Sequence, residues 1–187
     1  MSSWRDCIVV LMDLIGVKNR ALEGDSAASE LMRSFHRLVR REMASDRLGA
    51  LAHAYVWNDS VLLLAYVDGR PDAYEKAIRD ADTLKRQIDA MAPSYAVAVK
   101  GRAFPSAADS TGARITVIEA SSYAMANCFE IEATAKCKKL RKAWYIDTRI
   151  ASKVAAARAQ QWFNISLLPS GRCRRVYIHD GPLWREG

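Results

Sequence analysis

Four cysteines in 187 residues, Cys7, Cys128, Cys137 and Cys173, leave little room for cysteine chemistry. No two share the short spacing of a zinc site, and four scattered thiols read as the reduced cysteines of a cytoplasmic protein. The three histidines, His36, His53 and His179, share no ligand spacing either and read as structural or surface residues. No window approaches the ~18 continuous apolar residues of a membrane span. The apolar stretch near the start is bracketed by Asp6 and Asp13 and has no small-residue cleavage site behind it, so it does not read as a signal peptide. Ser60 lacks the Gly-x-Ser-x-Gly elbow of a nucleophile. Repeats, low-complexity stretches and Pro/Ser-rich linkers are missing too. Residues 1–187 are therefore expected to form a single domain.

Half of the residues are apolar, which excludes disorder and is enough for a full core. The net charge is +7, and the basic residues cluster: Arg37, Arg40 and Arg41; Lys136, Lys138, Lys139, Arg141 and Lys142; Arg172, Arg174 and Arg175. Such clusters attract nucleic acid or a polyanionic nucleotide. No exposed aromatics interleaved with glycine accompany them, so nucleic acid is not the expected partner. The first cluster also reads as the solvated face of a helix.

Two carboxylates stand where strands are expected to end. A run from Cys7 to Met12 ends on Asp13, with Gly16 just beyond it. A second run, Leu51 to Trp57, meets Asn58-Asp59, and a third, Val61 to Val67, follows at once, which is hairpin chemistry. Between them a helix is expected from about Ser26 to Met43, with Leu31, Phe35 and Leu38 on one face and Asp25-Ser26 as its N-cap. Pro71-Asp72 opens another, with Tyr74, Ile78, Ala81, Leu84, Ile88 and Met91 on one face. Pro93-Ser94 stops it, and Tyr95 to Phe104 alternates as a strand. The order is β-α-β-β-α-β, so the fold class is α+β with a ferredoxin-like core. A right-handed crossover places the first strand inside the sheet, beside the strand leading into the hairpin, and makes Asp13 and Asp59 neighbours.

The second half adds a short strand at 112–117, a helix from Ile118 to Ala135, a strand from Lys142 to Asp147 and a helix from Thr148 to Gln161. A C-terminal hairpin of Trp162–Leu168 and Cys173–His179 turns at Pro169-Ser170-Gly171. Read alone, Asp13 is also a cap for a helix or turn starting at Leu14, and Asp59 a turn residue. Read together, with Gly16 allowing close backbone approach, they are a pair of hard oxygen ligands for Mg²⁺ or Mn²⁺.

These residues resemble a family. Asp-Leu-Ile-Gly at 13–16 resembles the Asp-x-x-Gly of class III nucleotidyl cyclases, and Asn58-Asp59-Ser60 resembles their Gly-Asp-Ser hairpin. The short length and the pattern near Ala126 to Glu130 are most similar to the stand-alone pyrimidine cyclases of bacterial anti-phage Pycsar systems. The resemblance covers roughly residues 6–150. It implies a homodimer with active sites at the subunit interface, two divalent ions held by Asp13 and Asp59, and a nucleoside triphosphate substrate. It also implies a downstream effector that senses the cyclic nucleotide.

In that chemistry the ribose 3′-hydroxyl attacks the α-phosphorus and pyrophosphate leaves. Backbone groups at Leu14, Ile15 and Gly16 are expected to complete the metal shell and the phosphate cradle. Lys18, Arg172, Arg174 and Arg175 are the candidate phosphate-binding cations, with Arg172 and Arg174 expected to be catalytic. ATP-using members commonly place an adenine-reading lysine four residues before the hairpin aspartate. Tyr55 stands there, which implies UTP or CTP, and a second base-reading position falls near Thr116. Tyr55 is also an ordinary strand tyrosine. The family's Asn and, four residues later, its transition-state Arg fall near Tyr123 and Asn127, and no arginine lies between Ile118 and Lys136. Asn127 is the stand-in the spacing offers, with a hydrogen bond but no charge. The alternatives are a nucleotide-binding relative without turnover and a palm-like polymerase or dinucleotide synthase. The latter lacks its Gly-Gly-Asp-Glu-Phe or Gly-Asp-Asp signature here.

Overall fold

The computed structural model describes residues 4–70, 72–103, 123–137, 143–154, 162–166 and 173–184. In chain order the elements are β1 (Arg5–Leu14), α1 (Val17–Glu23), α2 (Asp25–Met43), β2 (His53–Trp57), β3 (Ser60–Tyr66), α3 (Ala73–Met91), β4 (Ser94–Ala103), α4 (Tyr123–Cys137), β5 (Ala143–Asp147), α5 (Thr148–Ala151), β6 (Trp162–Ser166) and β7 (Cys173–Asp180). The strands form one sheet in the order β2-β3-β1-β4-β5-β7-β6, with only β4 and β5 parallel. This is the expected ferredoxin-like core extended by β5 and the C-terminal hairpin.

Strand β1 is apolar without a break because both of its faces are covered. Ile8, Val10 and Met12 pack with Phe35 of α2 and Ile78 of α3. Cys7, Val9 and Leu11 pack with Ala124, Cys128 and Ile131 of α4. Helix α4 lies so close to β4 that a Cβ on Gly101 would overlap Ala124. The buried face of α3 is the expected one, and it also carries Asp82, which accepts from Trp144 Nε1 at 2.9 Å and from the Leu183 amide at 3.0 Å.

Several expectations need correction. Strand β1 lies beside β3, which leaves the hairpin, and not beside β2, which leads into it. The split βαβ unit inserts β3 between the two parallel strands and pushes β2 to the edge. Helix α1 was not expected, because seven residues are too few to show a period. The N-cap of α2 is Gly24, without a side-chain cap, and Asp25 is already helical. Helix α5 stops at Ala151 and residues 152–154 leave the helix, while 155–161 of the expected helix lie outside the described residues. The expected strand at 112–117 and the Pro169-Ser170-Gly171 turn lie outside the described residues, although β6 and β7 do pair antiparallel from Ser166 and Cys173. Among the described residues no helix is long and apolar enough to cross a membrane.

Candidate active site

The site is set by strand register. Asp13 is the penultimate residue of β1 and stands opposite Ser60 on β3 and Tyr95 on β4. Alternation along β1 puts Asp13 on the same face as Val9 and Leu11, under α4. The hairpin turn is only Asn58-Asp59. Asn58 takes φ 48°, a left-handed value that asparagine tolerates better than most residues. The Leu14 amide donates to the Asp59 carbonyl at 3.0 Å, tying the end of β1 to the turn. Across the turn, His36 Nε2 on α2 donates to the Asn58 carbonyl at 2.7 Å. Asp13 and Asp59 therefore arrive at one end of the sheet.

The Asp13 carboxylate is 4 % exposed and held at both oxygens. Ser60 Oγ donates to Oδ1 at 2.5 Å, and the Tyr95 hydroxyl lies 2.6 Å from Oδ2. The same hydroxyl lies 2.6 Å from Glu132 Oε1 on α4. A phenol has one proton, so it can donate to only one carboxylate at a time. Both contacts are made good together only when a second proton or a cation joins them. Burial first, and then the hydrogen bonds to Asp13 and Glu132, push the Tyr95 phenol far above its ordinary value. The sequence pattern does not mark Ser60, Tyr95 or Glu132 as site residues. Tyr95 had a signal, because Pro93-Ser94 fixes the start of β4 and Gly16 the end of β1, which sets them in register. Glu132 had none.

The donor set fits a hard divalent cation in part. Among the described residues no cluster of three or more His, Cys, Asp or Glu forms. A cation here would rest on Asp13 and Asp59, with remaining positions for carbonyl oxygens, water and ligand phosphates, which is how Mg²⁺ is commonly held. The Leu14 and Ile15 amides cannot cradle phosphate, since they donate to Asp59 O and, at 2.7 Å, to Pro93 O. Their carbonyls are what they can offer. At Gly16, nothing lies within 4 Å of where a Cβ would sit, but φ is +86°. The demand for glycine is the sharp entry into α1 and not close approach. Lys18 is exposed in the first turn of α1.

The other expected residues fall elsewhere. Tyr55 sits on β2, two residues before Trp57 and on the α4 side of the sheet. Its hydroxyl is buried without a partner among the described residues, and burial, then Tyr66, pushes its phenol up to about 12. Asn127 is on α4 and buried at 2 % exposure, as Asp13 is at 4 %. Arg174 and Arg175 stand opposite Ile165 and Asn164 on β7. The register running Asp13, Tyr95, Ala143, Asp180 puts them roughly five residues, or about 17 Å at ~3.4 Å per residue, toward the other end of the sheet from Asp13. One protomer does not bring them to the carboxylates. Thr116 and Arg172 lie outside the described residues. On the α4 face near the hairpin, Trp57 and Phe129 are 37 % and 40 % exposed, with ring centroids 6.2 Å apart.

No protein-family model matches the sequence, and no curated protein does. Solved structures do match. The adenylyl cyclase CyaB from P. aeruginosa superimposes with TM-score 0.67 at 10% identity, over 96% of this chain and 95% of that one. The guanylyl cyclase Cya2 gives 0.66 at 8%, over 97% and 94%. The catalytic core of a rhodopsin-guanylyl cyclase with converted specificity, in complex with ATPαS, gives 0.66 at 12%, over 96% and 97%. At such identities the likeness is one of fold, and that fold is the class III cyclase catalytic domain.

Proposed function

We propose that the chain is a nucleotidyl cyclase that converts UTP or CTP to the 3′,5′-cyclic monophosphate and pyrophosphate. The observation that carries this reading is the register of β1 on β3, which sets Asp13 beside the Asp59 turn on a cyclase-type sheet. In this reading Asp13 and Asp59 hold two divalent ions, Mg²⁺ or Mn²⁺. Such ions lower the pKa of the ribose 3′-hydroxyl and neutralise the leaving pyrophosphate.

The chain's own residues orient and exclude. Ser60 holds one oxygen of the Asp13 carboxylate and the Tyr95 hydroxyl, when its proton is directed to Asp13 and not to Glu132, holds the other, which preorganises the carboxylate. The Leu14 amide and His36 hold the Asp59 turn from two sides. Lys18 offers a charge to the β- and γ-phosphates. Arg174 and Arg175 serve the same site only from a second copy, so a homodimer is part of the proposal. The exposed Trp57–Phe129 pair supports a contact on that face. With Asn127 uncharged, the transition-state charge is left to one of these cations, or to Arg172. Tyr55 supports a pyrimidine. Its buried hydroxyl, without a partner among the described residues, would gain a hydrogen bond from the edge of a base, and leaving such a group unpaired costs about 1–3 kcal/mol. The likeness of the sequence to anti-phage pyrimidine cyclases supports a signal read by a cyclic-nucleotide-sensing effector.

A second reading, nucleotide binding without turnover, is favoured by one observation: α4 offers only the buried Asn127 where the arginine is expected. Incubating the pure protein with each of the four NTPs and Mn²⁺, then identifying products by mass, separates the two. Cyclic UMP or CMP, lost in Asp13→Ala and Asp59→Ala, is the expected result. Equal turnover of all four NTPs removes the pyrimidine claim. Nucleotide binding with no cyclic product from any of them selects the second reading.

A further inference from the structure

The basic face of α2 and the outer edge of the sheet meet in a cleft that Tyr55 and His36 also line, but whose arginines and outer main-chain edge the cyclase reading does not use. Among the described residues strand β2 ends the sheet and pairs with β3 alone. From the two-residue turn, where Trp57 faces Ser60, hydrogen bonding to β3 alternates along β2. The main-chain groups of Ala54 and Val56 are thereby left on the outer edge. Natural edge strands are usually blunted by charge, proline or a bulge. The sequence HAYVW at 53–57 carries no lysine, glutamate or proline.

Beside this edge runs a cleft of about 560 Å³, with residues 52–56 on one side and His36, Val39, Arg40 and Met43 of α2 on the other. That five consecutive residues, 52–56, line it shows that it follows the strand edge. It continues along α2 into a second cleft of about 250 Å³ among Arg33, His36, Arg37 and Arg40. Arg33, Arg37 and Arg40 are exposed, and none forms an ion pair with a carboxylate among the described residues. Among the described residues the cleft therefore has an open main-chain edge, an apolar wall at Met43, Ala54 and Val56, and a row of uncompensated cations.

We propose that this cleft takes an extended acidic segment of a partner protein, which adds to the sheet as a strand beside β2. The main chain of such a segment would pair with Ala54 and Val56, as in other strand additions. Its apolar residues would meet Met43, Ala54 and Val56, and its carboxylates Arg33, Arg37 and Arg40. A second copy of this chain is disfavoured as occupant, because pairing β2 with β2 would bring two sets of these arginines together. A phosphate backbone would satisfy the arginines but leave the main-chain edge and the apolar wall without partners.

The test uses a fluorescent peptide, Glu-Val-Glu-Val-Glu-Val-Glu with blocked ends, titrated with the full chain and read by anisotropy. Hydrogen exchange over residues 52–57 reads the edge. The expected result is saturable binding with added protection at 52–57, and at least about tenfold weaker binding by the Arg37→Glu/Arg40→Glu variant. The single variant Arg33→Glu should weaken binding in the same direction, should the double variant fail to fold. Overturning results are equal binding of the lysine counterpart, or of the same peptide N-methylated at alternate residues. So are full displacement by inorganic tripolyphosphate, protection at 52–57 that rises with protein concentration alone, and no binding of the acidic peptide at millimolar concentration.

Discussion

Replacing Tyr95 with phenylalanine tests how the candidate site is held. The ring stays buried, so the apolar contribution is nearly unchanged and the hydroxyl alone is removed. Two contacts of 2.6 Å are lost, to Asp13 and to Glu132, and a naive count doubles the cost. One phenolic proton makes only one donated hydrogen bond at a time. A hydrogen bond to a charged group contributes about 1.5–3 kcal/mol, so Tyr95→Phe should cost about 2 kcal/mol and not about 4. That is roughly a 30-fold change in the folding equilibrium. Urea unfolding in EDTA, compared with the parent chain, measures it. Glu132→Gln supplies the second donor, because an amide can donate to the phenol oxygen while the phenol donates to Asp13. In the Glu132→Gln background Tyr95→Phe should therefore cost more, by about 1 kcal/mol, since both contacts are then satisfied bonds. The cycle isolates this pair from any other partner of Glu132. An equal or smaller cost in that background would refute the one-proton argument, and a cost under ~0.5 kcal/mol in the parent background would refute the claim that Tyr95 holds Asp13.

Other outcomes follow from the same packing and charges. Gly101→Ala puts a methyl into Ala124, so it should force α4 off β4 at about 1–3 kcal/mol, and it should shift the exchange of α4 amides before those of α3. Glu42 is held below its ordinary value of 4.5, first by its hydrogen bond from Arg41. Its contribution is therefore present above about pH 4.5 and is lost as pH falls through the lower folded value. Glu42→Gln should flatten the loss of stability in that acid window, and an unchanged acid limb would count against it. Cys7 and Cys128 are buried, and burial pushes the Cys7 thiol up to about 12. In a chain with Cys137 and Cys173 replaced by serine, a thiol reagent at about pH 8 should react with neither until the protein unfolds.

Much of this was legible along the chain, because the signals are local. The apolar run from Cys7 to Met12, the periodicity of α2 and α3, the Asn58-Asp59 turn and the proline stops each act within a few residues, and together they spelled a split βαβ core. Asp13 and Asp59 could be named because each lies at the end of such a signal. Whether their neighbours complete a site was not local. Tyr95 is 82 residues from Asp13 along the chain, and Glu132 is 37 beyond Tyr95. They meet because strand register and the close seat of α4 at Gly101 put them there. The same nonlocality moved β1 beside β3, took the Leu14 and Ile15 amides out of the phosphate cradle, buried Asn127, and left Arg174 and Arg175 at the far end of the sheet. Sequence periodicity decides which face of an element is buried, because burial acts residue by residue. It does not decide which side chains from separate elements converge, because that depends on register and layer spacing, which only the packed sheet fixes.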